Sequence, residues 1–205
     1  QMCIRDRCWR ILFMRQSLIT RKTKETDVTV ELNLDANSEY IINTDIKFFK
    51  HMLEQFAYHS GFGLKIEAKS LDGDSHHLIE DVGLALGSAL KNALNEKKGI
   101  NRYGQFILPM DEALVMSVVD ISGRAFSKVS AQIESENVSD FPVVMLNHFF
   151  YSFAQNAQIT IHIRELDGSD PHHIIEAVFK SFGRALAMAV TIGANDEIPS
   201  TKGVL

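Results

Sequence analysis

The chain has 205 residues, of which 45% are hydrophobic and 23% charged, with a formal net charge of −5. That length suits one domain, or two closely packed half-domains, able to bury a core, and the composition is ordinary for a soluble globular protein. No apolar run approaches a membrane span, and an acidic balance argues against non-specific nucleic-acid binding.

The charge is uneven. Residues 1–22 hold Arg5, Arg7, Arg10, Arg15, Arg21 and Lys22 against Asp6 alone, a leader of +5 that leaves −10 on the rest. Both cysteines, Cys3 and Cys8, lie in this leader, so the body has no disulfide framework and suits a reducing, cytoplasmic compartment. The apolar segment Cys8 to Met14 is broken by Arg10 and lacks a small-residue cleavage site, which does not fit a secretory signal. Residues 1–20 are expected to form a non-native or disordered basic extension outside the fold.

From Thr23 to Asp35 the pattern alternates, with Val28, Val30, Leu32 and Leu34 on one face, and predicts a strand. Ala36 to Glu39 predicts a turn, and Tyr40 to Asn43 the start of a returning strand. Phe49, Met52, Leu53 and Phe56 recur at helical spacing over Phe48 to His59. A strand over Leu64 to Ala68 follows, then a loop from Asp72 to Ser75 and a helix to about Leu94, with Asp72 and Asp74 as candidate caps. Gly99 to Gly104 is a connector, and Gln105 to Asp111 leads into a buried strand over Ala113 to Asp120. A turn over Ile121 to Arg124, a strand over Ala125 to Ile133 and a polar loop over Glu134 to Pro142 come next. Then a helix is expected over Val144 to Asn156, a strand over Ile159 to Arg164, and a helix from His172 to Ile192, entered through Pro171. The tail from Ile198 is too short to add structure of its own.

One unit is written twice. His76-His77-Leu78-Ile79-Glu80 returns as His172-His173-Ile174-Ile175-Glu176. Leu71-Asp72-Gly73 returns as Leu166-Asp167-Gly168, Gly87 as Gly183, and His51 is answered by His148. An internal repeat of this kind implies a fold built from two copies. Each copy reads as strands plus two helices, an α+β arrangement with helices on one side of a sheet. Six of the eight histidines fall at equivalent points, which packing does not explain.

On a helix, His76 or His77 can share a face with Glu80, and adjacent histidines point about 100° apart. One histidine of each pair should therefore serve a second site. Six histidines and two glutamates suffice for two ions with three histidines and one carboxylate each, and sites shared between subunits are the natural solution. Nitrogen and carboxylate donors without thiolate suit Mn, Fe, Zn, Co or Ni. His59 and His162 lack histidine counterparts and are assigned structural or supporting roles.

These motifs, with Phe49-Lys50-His51-Met52-Leu53-Glu54-Gln55, Met110-Asp111-Glu112-Ala113-Leu114 and the ending Pro199-Ser200-Thr201-Lys202-Gly203, resemble imidazoleglycerol-phosphate dehydratase over about Arg21 to Leu205. The resemblance implies one such domain over 21–205, with repeats at about 21–104 and 105–196 and a substrate-binding tail at 197–205. Each repeat is implied to be a mostly antiparallel sheet with helices on one face, left-handed βαβ-type and ribosomal-protein-S5-domain-2-like. Dehydration of imidazoleglycerol phosphate in histidine biosynthesis is implied, with two Mn2+ ions per active site and ligands shared between subunits of a 24-mer built of trimers.

The ligands implied are His51, His76, His77, Glu80, His148, His172, His173 and Glu176. Substrate positions implied are Glu25, Gln55, Arg102, Arg124, Lys180, Ser200 and Lys202. The family usually has Asp where this chain has Lys50 and Thr where it has Leu78, which bears on tuning around the ligands. Arg and Lys suit a phosphate ester. Cations on both imidazole nitrogens would lower the N–H pKa, and the resulting imidazolate can expel the hydroxyl. Glu25 is the candidate acid/base, with His77, Glu80, His173 and Glu176 as the catalytic ligands. The rival readings are a metal-dependent hydrolase of a phosphorylated metabolite and a non-catalytic metal-binding shell protein.

Overall fold

Two four-stranded sheets carry the alternation read in the sequence, and four helices lie between them. The computed structural model describes residues 15–36, 39–193 and 196–205; Cys3, Cys8 and the Asn37-Ser38 part of the expected turn lie outside these. The first half runs β1 (Gln16–Lys22), β2 (Thr26–Asn33), β3 (Tyr40–Thr44), α1 (Lys47–Ser60), β4 (Gly63–Ser70) and α2 (Ser75–Leu94). The second runs β5 (Tyr103–Met110), β6 (Ala113–Asp120), β7 (Phe126–Ser130), a small ribbon of β8 (Asn137–Val138) and β9 (Phe141–Pro142), α3 (Val144–Ala157), β10 (Thr160–Asp167) and α4 (Pro171–Val190). Strand orders are β1-β2-β4-β3 and β5-β6-β10-β7, the same topology twice.

In each sheet three strands are antiparallel, and the last, β3 or β7, runs parallel to its neighbour. Parallel pairing needs a crossover, which α1 supplies between β3 and β4 and α3 supplies between β7 and β10. This corrects one expectation: β3 does not return against β2 but pairs with β4, Ile42 opposite Ile66. Two more corrections concern strands. β1 begins at Gln16, inside the stretch expected to lie outside the fold, and pairs with β2 from Gln16 opposite Asn33 to Lys22 opposite Asp27. Gln105 to Asp111 is not a lead-in but most of β5, closed onto β6 by a two-residue turn at Asp111 and Glu112.

The helices of the two halves pack crosswise, α1 on α4 and α2 on α3, so each half covers the other's apolar helix faces. Phe49, Phe149, Phe150, Phe153, Phe179 and Phe182 are fully buried there, and Phe49 meets Phe149 edge-on at 5.4 Å between ring centroids. Losing one such ring costs about 3–5 kcal/mol. An inter-half cap adds to this: Asp140 accepts hydrogen bonds from Lys47 N (2.8 Å) and Phe48 N (2.9 Å), satisfying the start of α1, which has no cap of its own.

Glycines set the helix spacing. A Cβ on Gly87 would stand 2.4 Å from the Phe153 carbonyl oxygen of α3, and one on Gly183 would stand 2.9 Å from the Phe56 carbonyl oxygen of α1. Both obstacles are backbone and cannot swing aside. Gly87→Ala and Gly183→Ala are therefore expected to destabilise the fold by about 1–3 kcal/mol each, as overpacking does. Thermal unfolding at matched protein concentration checks this, and unchanged midpoints would show that the helices can shift apart freely.

Candidate active site and metal centre

Helix starts place the histidine pairs. Asp74 caps α2 by accepting from His76 N at 2.8 Å, and Asp170 caps α4 by accepting from His172 N at 2.7 Å and His173 N at 3.3 Å, with Pro171 in the first helical turn. Each pair thus sits in a fixed first turn. Asp72, the other expected cap, takes a different role described below.

From α4, His172 turns inward and meets His51 of α1. Nε2 of His51 and Nε2 of His172 each lie 3.1 Å from the same Glu176 oxygen, Oε2, and Lys180 Nζ donates to Oε1 at 2.6 Å. Burial pushes the Glu176 carboxyl up, but hydrogen bonds from Lys180 and His51 outweigh it and the net direction is down. The carboxylate is anionic, and only 7% of its side chain is exposed. The other seam repeats the arrangement more openly: His76 of α2 stands 4.9 Å, centroid to centroid, from His148 of α3, with Glu80 Oε2 at 3.5 Å from His76 Nε2. Of the pair, it is His76 and not His77 that faces Glu80.

The second histidine of each pair faces away. His77 Nδ1 lies 2.7 Å from Asp72 Oδ2, and His173 Nδ1 lies 2.8 Å from Glu112 Oε2, which leaves both Nε2 atoms turned from these partners. The Asp72 hydrogen bond raises the His77 pKa, and the Glu112 hydrogen bond raises that of His173. Glu112 in turn falls to about 2, through His173 first and then backbone N–H groups at Asp170 and Ser169. Glu25, on the β1–β2 turn, holds its carboxylate 3.9 Å from His77 Nδ1.

The donor chemistry fits a divalent metal. Ligand atoms of His51, His172 and Glu176 lie within 4.8 Å of one another, as do those of Glu25, Asp72 and His77. Donors about 3 Å apart match a first-row ion with bonds near ~2.1 Å.

The expected phosphate-binding cations do not meet in one place. Lys180 and Gln55 belong to the α1–α4 seam, Gln55 lying one turn beyond His51 and Lys180 one turn beyond Glu176. Arg102 stands at the other end of α4, where its N–H donates to the Ala189 carbonyl; its side chain pairs with Asp120 at 2.7 Å and donates to the Pro199 carbonyl at 2.9 Å. That bond anchors the tail bearing Ser200 and Lys202. Arg124 lies in the β6–β7 connection, next to Gly123, which the Leu205 backbone approaches. Lys180 and Ala189 are nine residues apart on α4, ~14 Å along the helix, which sets the two groups apart.

The sequence profile described as Imidazoleglycerol-phosphate dehydratase matches residues 44–186. The chain belongs to this family. An imidazoleglycerol-phosphate dehydratase of Thermoanaerobacter pseudethanolicus is 50% identical over 194 residues, covering 94% of this chain and 100% of that protein. One from Caldicellulosiruptor saccharolyticus is 46% identical over 188 residues, covering 91% and 96%. Among solved structures, the enzyme from Pyrococcus furiosus in complex with (S)-C348 superposes with a TM-score of 0.80 at 39% identity, covering 91% of this chain and 100% of that one. The Staphylococcus aureus enzyme gives 0.76 at 38% identity, covering 86% and 99%. Membership makes the chain a hydro-lyase acting on a small phosphorylated substrate. Among the described residues no helix is long and apolar enough to cross a membrane.

Neither departure from the dehydratase pattern touches the donors. Leu78 is fully buried in the core, and Lys50 lies on α1 near Glu54, at 3.9 Å. Two residues near the site, Glu112 and Arg184, were given no role from the sequence. Glu112 was visible only as part of a motif, because its contact with His173 spans 61 positions. Arg184 follows Lys180 by one more turn, and His59, assigned a structural role, faces both cations. Burial first, then Arg184 and Lys180, lower the His59 pKa, and its buried Nδ1 has no hydrogen-bond partner among the described residues.

If Glu112 holds His173 in its raised state, Glu112→Gln should return the His173 pKa toward the ordinary imidazole value. An NMR titration of metal-free protein labelled at histidine reads this directly. A His173 pKa that stays raised would assign the effect to Asp170 and Asp111 instead.

Proposed function

We propose that this chain dehydrates imidazoleglycerol phosphate to imidazoleacetol phosphate in histidine biosynthesis, in the cytoplasm, with two Mn2+ ions per active site. The observation that carries the reading is the doubled kit: across each helix seam a histidine of one half meets a His/Glu helix turn of the other, and each half keeps one further histidine turned away. His51, His172 and Glu176 form one group, His148, His76 and Glu80 the other, and His77 and His173 are left as ligands for ions held mainly by other copies. Sharing of this kind supports a homo-oligomer, read as a 24-mer of trimers. The outer face of the second sheet, with exposed Tyr103, Ile107 and Phe126, offers apolar area for such contacts.

Bound ions would supply positive charge to the substrate's imidazole nitrogens and ease loss of the ring N–H proton. The chain's own groups then have separate tasks. Glu25, exposed at a turn tip beside His77, carries a proton to the departing hydroxyl or takes one from the neighbouring carbon. Lys180, with Gln55, stands on the seam beside Glu176, where a phosphate ester can be gripped. Arg102, Arg124, Ser200 and Lys202, at the far end of α4, serve a site completed by a neighbouring copy. Fixing the phosphate at a distance orients the reacting carbons against Glu25.

Metal-stripped protein re-supplied with Mn2+ should turn imidazoleglycerol phosphate into the ketone without releasing phosphate. Glu25→Gln should lower kcat by roughly 10²- to 10⁴-fold while the protein keeps its metal. Phosphate release without ketone would establish the hydrolase, and neither product from a protein that still binds Mn2+ would leave a non-catalytic shell. Chelation should also shift the particle to smaller size on gel filtration, because the ligands are shared. An unchanged elution volume would remove the shared-ligand reading.

A further inference from the structure

Resting on the reading of Glu25 as the acid/base group, we infer that Asp81 is a positioning residue for the reaction. It fixes the turn that carries Glu25 against the helix that carries His77 and Glu80. Asp81 follows Glu80 directly but points the other way, into the interface between α2 and the first sheet, where its side chain is 8% exposed. A buried carboxylate is costly unless both oxygens are paired. Here they are: Arg21 Nε donates to Oδ1 at 2.7 Å, and the Thr26 hydroxyl donates to Oδ2.

Arg21 is the last residue but one of β1 and Thr26 begins β2, so one carboxylate on α2 grips both sides of the turn between them. Inside the turn, Thr23 Oγ1 accepts from Glu25 N at 3.1 Å and from Thr26 N at 3.0 Å. The Glu25 carbonyl accepts from Leu71 N at 2.7 Å. Every one of these bonds spares the Glu25 carboxylate. It is left exposed, 3.9 Å from His77, whose nearer partner is Asp72.

The second half makes the contrast. Ala177 stands where Asp81 does, and the matching turn carries Glu112, which does its own clamping. Glu112 Oε1 accepts from Asp170 N at 2.8 Å and Ser169 N at 3.4 Å, while Oε2 takes His173 at 2.8 Å. A turn carboxylate used as a clamp has no free oxygen to move a proton. In the first half the clamp is Asp81 and the histidine's partner is Asp72, and Glu25 is thereby released.

The test compares Asp81→Asn, Arg21→Ala, Glu25→Gln and the doubles with Glu25→Gln, all in the Mn2+-loaded enzyme. Asp81→Asn and Arg21→Ala should each lower kcat by about 10- to 100-fold, the scale of a roughly 1 Å misplacement, with KM and bound metal unchanged. Amide exchange at Thr23 to Thr26 should quicken in both. In the Glu25→Gln background neither change should lower kcat further, because the group being positioned is gone. Losses that multiply with Glu25→Gln, or a lowered melting temperature with unchanged kcat, would make Asp81 a structural tie and overturn the inference. Should Asp81→Asn fail to fold, Arg21→Ala, on the partly exposed side of the pair, gives the same answer. A fully active Glu25→Gln would instead remove the acid/base reading, a result distinct from a normal Asp81→Asn beside an inactive Glu25→Gln.

Discussion

The candidate site exists because two pairs of helices approach closely enough to bring their histidines together. At Gly183, α4 lies against the Phe56–Ser60 turn of α1; at Gly87, α2 lies against the Phe153–Ala157 turn of α3. Metal coordination tolerates errors of about 0.2 Å. A helix pushed out by even one methyl group would take His51 off Glu176 or His148 off His76. The glycines are therefore part of the site, although their backbone dihedrals are ordinary and they touch no ligand. Capping works with them, since Asp74 and Asp170 hold the first turns whose histidines meet those neighbours.

The two halves depend on each other throughout. Each His/His/Glu group takes one histidine from one half and the helix start from the other, and Asp140 of the second half caps α1 of the first. Neither half could present a complete group by itself. The phenylalanine layer between the halves thus holds the fold and the donor geometry with the same contacts. Closely packed buried rings resist movement, which suits donors that must be held in place.

Much of this could be read along the chain, and the omissions share a cause. Strand alternation and helical spacing gave β2, β4, β6, β7, β10 and all four helices, because period is a local property. The candidate donor residues stood out because the motif appears twice. What was lost depends on contacts across the sequence: β3 parallel to β4, Asp140 on α1, Glu112 on His173. β1 was lost for another reason: Arg15, Arg21 and Lys22 gave it the composition of a leader. Yet Arg15 pairs with Asp35 at 2.5 Å and Arg21 with Asp81, so those charges hold an edge strand in place. The hydrogen bonds to Arg15 keep the Asp35 carboxyl below its ordinary range.

Duplication explains the symmetry of the donors, and the departures from symmetry explain how one reaction can occur on a symmetric frame. In the α2–α3 seam, Leu84, Ser88 and Asn156 follow the donors, with Ser88 and Asn156 hydrogen-bonding to each other at 3.4 Å. At the same positions of the α1–α4 seam stand Lys180, Arg184 and His59. One seam is closed by small and apolar groups, whereas the other collects cations and an imidazole nitrogen without a partner among the described residues. The turns diverge in the same manner: Glu112 is tied to a helix start, and Glu25 is held near His77 by bonds that leave its carboxylate free. A phosphate ester has a head to be gripped and a carbon to be deprotonated, so it cannot use two identical half-sites. On the proposed reading, the repeated residues answer the need for metal, and the residues that broke the repeat answer the asymmetry of the substrate.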